Sequence, residues 1–135
     1  MELTLADAQK AVARAQAKAA ELDLKITVAV VDAGGLLVAL GRMDGAPPIS
    51  PQIAEAKAVG AAMFLRDGGW LGQTAQDRPG FFKAADRLAR LPLIPGPGSA
   101  LVKRGGAVIG AVGVSGARPE QDLECAEAGA ASVQA

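Results

Sequence analysis

The chain has 135 residues, half of them hydrophobic and 3% aromatic, and its 14 basic and 14 acidic side chains leave no net charge. This length predicts one domain, 1–135, and the balanced charge argues against a protein that binds nucleic acid. With no run of about 20 apolar residues to span a membrane and no pattern typical of a signal peptide, we expect a cytoplasmic protein without a membrane partner.

Two residue types limit the chemistry. The sequence has no histidine, which removes Ser-His-Asp and Cys-His catalysis and any zinc or haem site that needs imidazole. Cys125 is the only cysteine, so we expect no intramolecular disulfide and no metal site. Any catalysis would rely on the remaining polar side chains, the thiol or a bound cofactor.

The first predicted element is an amphipathic helix with Thr4 as its N-cap. A hairpin follows, with its turn at residues 32–35. Both of its strands are apolar on successive residues, which predicts that helices or a partner subunit cover both faces. A second helix should begin with Ser50 as N-cap and end at Gly68 and Gly69.

Residues 70–76 are assigned at most a short turn of helix, and residues 78–91 form the next helix. A second hairpin turns at Arg104 and Gly105 or at Gly105 and Gly106, and a last helix begins near Pro119. The order α-β-β-α-α-β-β-α predicts an α+β domain with a central antiparallel sheet made of two hairpins and flanked by helices.

The glycine-rich strand GAVIGAVGVSG, residues 106–116, has the wrong spacing for a dinucleotide fingerprint, a P-loop or a nucleophile elbow. Its alternation places Ile109 on the same side as Gly113 and Ser115. Its small residues favour close approach of a helix or another chain. Ligand binding at Gly113, Ser115 and Gly116, where the strand ends, is compatible with this packing.

A few side chains could act on a ligand. Arg42 either is solvated or binds an anion, Met43 is a core residue or a ligand contact, and Asp44 could orient Arg42 or serve as acid/base. Lys57 interrupts an apolar helical stripe, so it either reaches solvent or pairs with a carboxylate or a ligand.

Four segments, in order, resemble the GlcG/HbpS family, the DUF336 type that also forms the C-terminal domain of PduO-type proteins. They are VAVVDAGGLLVALGRMDGAPP, SPQIAEAKAVGAA, LPLIPGPGSALVKRGGAVIGAVGVSG and PEQDLECAEAG. The resemblance implies a helix-flanked antiparallel sheet, homo-oligomers, and in some members haem or corrinoid-related ligands. Asp122 falls in the last segment and becomes a site candidate for that reason.

The sequence also departs from the family pattern. Members often carry PGGVP where this chain has PGPGS, which changes the loop around Gly96 beside the predicted pocket. Without histidine, haem could be held only by Met43, Met63, Cys125, a lysine or a hydrophobic site.

These observations favour a homo-oligomeric small-ligand-binding protein of the GlcG/HbpS type. Its pocket should lie between the RMDGAPP loop, the Lys57 helix, the PGPGS loop and the end of the glycine-rich strand. One alternative is an enzyme for proton transfer, isomerisation or hydration, with Arg42 as anion anchor and Asp44 or Lys57 as acid/base. Another is an accessory structural subunit.

Overall fold

The computed structural model describes residues 2–134, and its helices and strands follow the predicted order with one further helix. The elements are α1 (Leu5–Glu21), β1 (Thr27–Asp32), β2 (Leu37–Arg42), α2 (Ser50–Phe64), α3 (Gly68–Asp77), α4 (Pro79–Leu88), β3 (Ser99–Arg104), β4 (Ala107–Ser115) and α5 (Pro119–Val133). The additional helix is α3, in the segment to which the sequence assigned at most a short turn.

The four strands form one antiparallel sheet in the order β2-β1-β4-β3. The two hairpins therefore meet at the centre, where β1 pairs with β4. Helices α1 and α5 pack on one face of the sheet and α2 packs on the other. This arrangement buries both faces of β1 and explains its continuous apolar run.

The edge strand β2 stays partly open to solvent within a single chain. Leu37 is 44% exposed and Leu40 is 38% exposed. They lie opposite Val31 and Ala29 of β1 in the strand pairing. Within a single chain β1 is covered on both faces. Strand β2 lies at the edge of the sheet, so its cover by a partner subunit stays a prediction.

A register shift in the second hairpin changes the predicted faces of β4. The pairing moves between Val102 and Lys103, so that Val102 lies opposite Gly110 and Lys103 lies opposite Val108. Ile109 is left between these pairs and packs in the cluster that faces α1 and α5. The prediction that Ile109 shares a side with Gly113 is therefore wrong, since strict alternation ends at the shift.

The helix boundaries confirm one predicted N-cap and correct both the predicted N-cap and the predicted end of α2. Thr4 caps α1, and its hydroxyl accepts a hydrogen bond from the Asp7 amide. Helix α2 begins at Ser50, with Ile49 as its N-cap, and the Ser50 hydroxyl lies against Thr27 instead. It ends at Phe64, because Leu65 turns into the left-handed region with φ 57°.

Gly68 and Gly69 begin α3 and do not end α2. Asp67 is the reason, since its carboxylate accepts a hydrogen bond from the Trp70 amide and caps the new helix. The second hairpin turns through Gly105 and Gly106, both with positive φ, which is one of the two predicted positions. No helix within residues 2–134 is long and apolar enough to cross a membrane.

Candidate functional site

A buried ion pair connects the two helical layers. Lys57, in the middle of α2, places its Nζ 3.1 Å from Oδ2 of Asp122 in the first turn of α5. The same Nζ donates to the carbonyl of Val114 at 2.9 Å, and Oδ1 of Asp122 accepts from the amide of Ala117 at 3.0 Å. The two side chains are 9% and 3% exposed. Of the alternatives for Lys57, pairing with a carboxylate is the one observed.

Burial dominates the electrostatics of this pair. It raises the pKa of Asp122 above its usual range, while the Lys57 ammonium and the Ala117 amide act in the opposite direction. Buried ion pairs are costly to desolvate, and each partner depends on the other to stay charged. Lys57 and Asp122 therefore satisfy each other, which leaves neither as a free acid or base.

Gly98 makes room for the Lys57 ammonium, and the sequence reasoning missed it. Its φ is 135°, its carbonyl accepts from the Val114 amide at 2.9 Å, and an added Cβ would lie 2.6 Å from Nζ of Lys57. The signal was present in the PGPG motif, where two glycines alternate with prolines; both glycines adopt a positive φ.

The loop after β2 holds three other predicted residues. Arg42 is exposed and donates to the carbonyl of Ala46 at 2.8 Å, which closes the loop. Met43 is half-buried against the α1–α5 cluster, the core position that was one of its two interpretations. Asp44 is exposed. Among the described residues, none of the three is hydrogen-bonded to Lys57 or Asp122.

Close packing or a positive φ explains the predicted glycines. At Gly113 a Cβ would lie 2.7 Å from the amide nitrogen of Ala58, so only glycine lets α2 approach β4 this closely. Gly116 has φ 131°, and the backbone of Lys25 lies against it. Gly96 donates its amide to the carbonyl of Gly68 at 3.1 Å. Ser115 is buried opposite Thr27.

An apolar groove lies on the outer side of α2, and the sequence reasoning did not predict it. This α2 groove has a volume of about 370 Å³. It is lined by Ile49, Gln52, Ile53, Glu55, Ala56, Leu91, Pro92 and Ile94. The signal lay in the spacing of the apolar residues at 49, 53 and 56, which places them on one helical face. The alanine-rich face of α2 packs against the sheet. The groove lies on another face of the helix, next to the segment that follows α4.

A second cleft, of about 410 Å³, lies between β3 and α5. Asp67, Lys103 and Glu127 are among its lining residues. These charged groups suit polar ligands, whereas the α2 groove has one charged lining residue, Glu55, among mostly aliphatic ones. The α2 groove is therefore the better candidate for an apolar ligand.

Comparisons with known proteins agree with this fold. The family model "Haem degrading protein HbpS-like" matches residues 3–131. Protein GlcG of Escherichia coli K12 is 36% identical over 104 residues, which cover 77% of this chain and 74% of GlcG. The structure of Klebsiella pneumoniae ORFY, a DUF336 protein, superposes with a TM-score of 0.88 at 30% identity and covers 98% of this chain and 92% of ORFY. A PduOC:haem complex superposes with a TM-score of 0.86 at 26% identity, covering 98% and 95% of the two chains.

Proposed function

The chain belongs to the HbpS-like family, which confirms the resemblance of its four segments, and from this premise we propose that it binds a flat apolar ligand of the tetrapyrrole class in the α2 groove. The family match and its haem-complexed relative support a small-molecule ligand. The observation that carries the proposal is the groove itself, whose volume lies within the range of small-molecule sites and whose lining is mostly aliphatic.

In this proposal haem would be held in the groove through its ring and not through its iron. None of the lining residues is a histidine, cysteine or methionine, the side chains that usually ligate haem iron. Burial raises the pKa of the Cys125 thiol to about 11, so this thiol is protonated at neutral pH and ligates metals poorly. Apolar contact with the macrocycle would therefore supply the binding energy, and a metal-free porphyrin should bind about as well as haem.

The enzyme alternative has less support. Lys57 is hydrogen-bonded to Asp122 and Val114, and Asp44 stands exposed in a loop. A general base must be within hydrogen-bond reach of its substrate, and Lys57 is instead engaged by protein groups on both of these contacts. Ligand-binding roles for Arg42, Met43, Lys57, Gly96, Gly113, Ser115, Gly116 and Asp122 stay predictions.

Homo-oligomerisation is the second part of the proposal. The exposed Leu37 and Leu40 lie on the edge strand β2, where unpaired backbone groups and apolar side chains favour pairing with another chain. The zero net charge removes the long-range repulsion that would keep copies apart. A second copy of the chain would cover the face of β2 that the single chain leaves open.

A titration followed by absorbance tests ligand binding. Haem added to the protein should give a shifted Soret band that saturates, and metal-free protoporphyrin should compete for the same site. Ile53→Glu places a charge in the groove and should weaken binding by about tenfold or more, whereas Leu88→Glu, at an 84% exposed position on α4, should not. Absence of saturation with either porphyrin would overturn the proposal.

A further inference from the structure

One ion pair stands beside the α2 groove. Nη2 of Arg90 lies 3.2 Å from Oε2 of Glu55, the charged residue in the groove lining. Arg90 also directly precedes Leu91, another lining residue. The guanidinium is therefore held at the rim of a mostly aliphatic site.

The backbone fixes the position of this guanidinium. The same Nη2 donates to the carbonyl of Gly35 at 2.6 Å, so Arg90 joins the first hairpin to the segment after α4. A carbonyl carries no net charge, so within residues 2–134 the ion pair of Arg90 is the one with Glu55. The two side chains are 39% and 22% exposed, and a pair this open to water contributes little to stability.

We propose that Arg90 anchors a carboxylate of the ligand and that Glu55 occupies this anchor when the groove is empty. The inference rests on the proposed function, and it narrows the ligand to a flat apolar molecule with a carboxylate at its edge. An arginine fork binds a carboxylate through two parallel hydrogen bonds, and the bond to Gly35 holds this arginine in place before the ligand arrives. The arriving carboxylate takes the place of the Glu55 carboxylate, so Glu55 lowers the affinity for acidic ligands.

Two porphyrins that differ only in charge test the inference. Metal-free protoporphyrin IX carries two propionates, and its dimethyl ester carries none. Fluorescence titrations with both probes distinguish the contribution of the ring to binding from the contribution of its carboxylates. Arg90→Gln should weaken binding of the diacid by about tenfold and leave the ester within about twofold, because only the diacid loses a charge-assisted pair. Glu55→Gln should strengthen diacid binding several-fold.

Two further variants complete the test. Arg87→Gln, at an exposed position on α4, should change neither titration. Arg90→Lys keeps the charge and should retain part of the preference for the diacid. If Arg90→Gln weakens the binding of both probes equally, or of neither, the assignment of Arg90 is wrong. Ligand binding in the α2 groove would still be supported by that result. If neither probe binds the unaltered protein, the groove and its anchor are both wrong.

Discussion

At the scale of single residues, the Lys57–Asp122 pair is the feature with the largest expected consequence. It joins α2 to α5 around the end of β4, and both side chains are almost fully buried. Removing one partner leaves a buried charge without compensation, whereas removing both leaves a neutral site. Substituting both residues should therefore lower the free energy of unfolding much less than the two single substitutions together.

Lys57→Met and Asp122→Leu should each lower the free energy of unfolding by about 3–5 kcal/mol, the usual cost of a broken buried pair. The double variant should lose far less than the sum of the two, because no unpaired charge remains. Urea unfolding followed by circular dichroism measures all three. Glu120→Gln, which removes an exposed pair with Arg118, is the control and should cost under about 1 kcal/mol. Additive losses would contradict this account.

At the scale of elements, the contacts of Arg104 connect β3 with α1 and α5. Arg104, at the end of β3, forms two 3.3 Å contacts with the carboxylate of Asp7 in the first turn of α1 and donates to the carbonyl of Val133 at the end of α5. The hydrogen bond from Arg104 and the one from the Thr4 amide lower the pKa of Asp7 from 3.8 to about 2. The folded state therefore binds this proton more weakly than the unfolded chain does.

Because the pKa of Asp7 is lowered in the folded state, the protein should lose stability as the pH falls. The stabilisation is complete above the unfolded pKa of about 4 and is lost as the pH falls toward about 2. Arg104→Gln should raise the pKa of Asp7 and flatten the fall in stability across this window. Carbon-detected NMR of the Asp7 carboxyl follows the titration, and a midpoint near 3.8 in the unaltered protein would contradict the prediction.

The elements also show what the sequence could predict. Periodicity and turn residues predicted both hairpins and most of the helices, since these signals are local. The N-cap of α3 was missed because Asp67 stands beside two glycines, which are typical of a helix end. Ile109 faces α1 and α5 because the strand register shifts beside it, and strict alternation does not predict such a shift.

The candidate site was harder to predict because its contacts are distant in sequence. Lys57 and Asp122 were both singled out, but they lie 65 residues apart on helices that cover opposite faces of the sheet. The α2 groove needs the segment 91–94 to fold back over α2, and no local pattern indicates this packing.

At the scale of the whole molecule, the edge strand β2 should make the protein an oligomer. Light scattering after gel filtration should give a mass that is a multiple of the single chain. Leu37→Lys combined with Leu40→Lys should lower that mass, because both leucines are exposed on the edge strand and lie outside the two core clusters. Leu88→Lys, an exposed leucine on α4, should leave the mass unchanged. A monomeric unaltered protein would contradict the proposed assembly.

The position of the ligand can be tested with the five isoleucines of the chain. Ile49, Ile53 and Ile94 line the α2 groove, whereas Ile26 and Ile109 are buried in the cluster on the other face of the sheet. Methyl-labelled protein titrated with diamagnetic zinc protoporphyrin should show large shifts for the three groove methyls and small ones for the other two. Uniform shifts, or shifts confined to Ile26 and Ile109, would contradict ligand binding in the α2 groove.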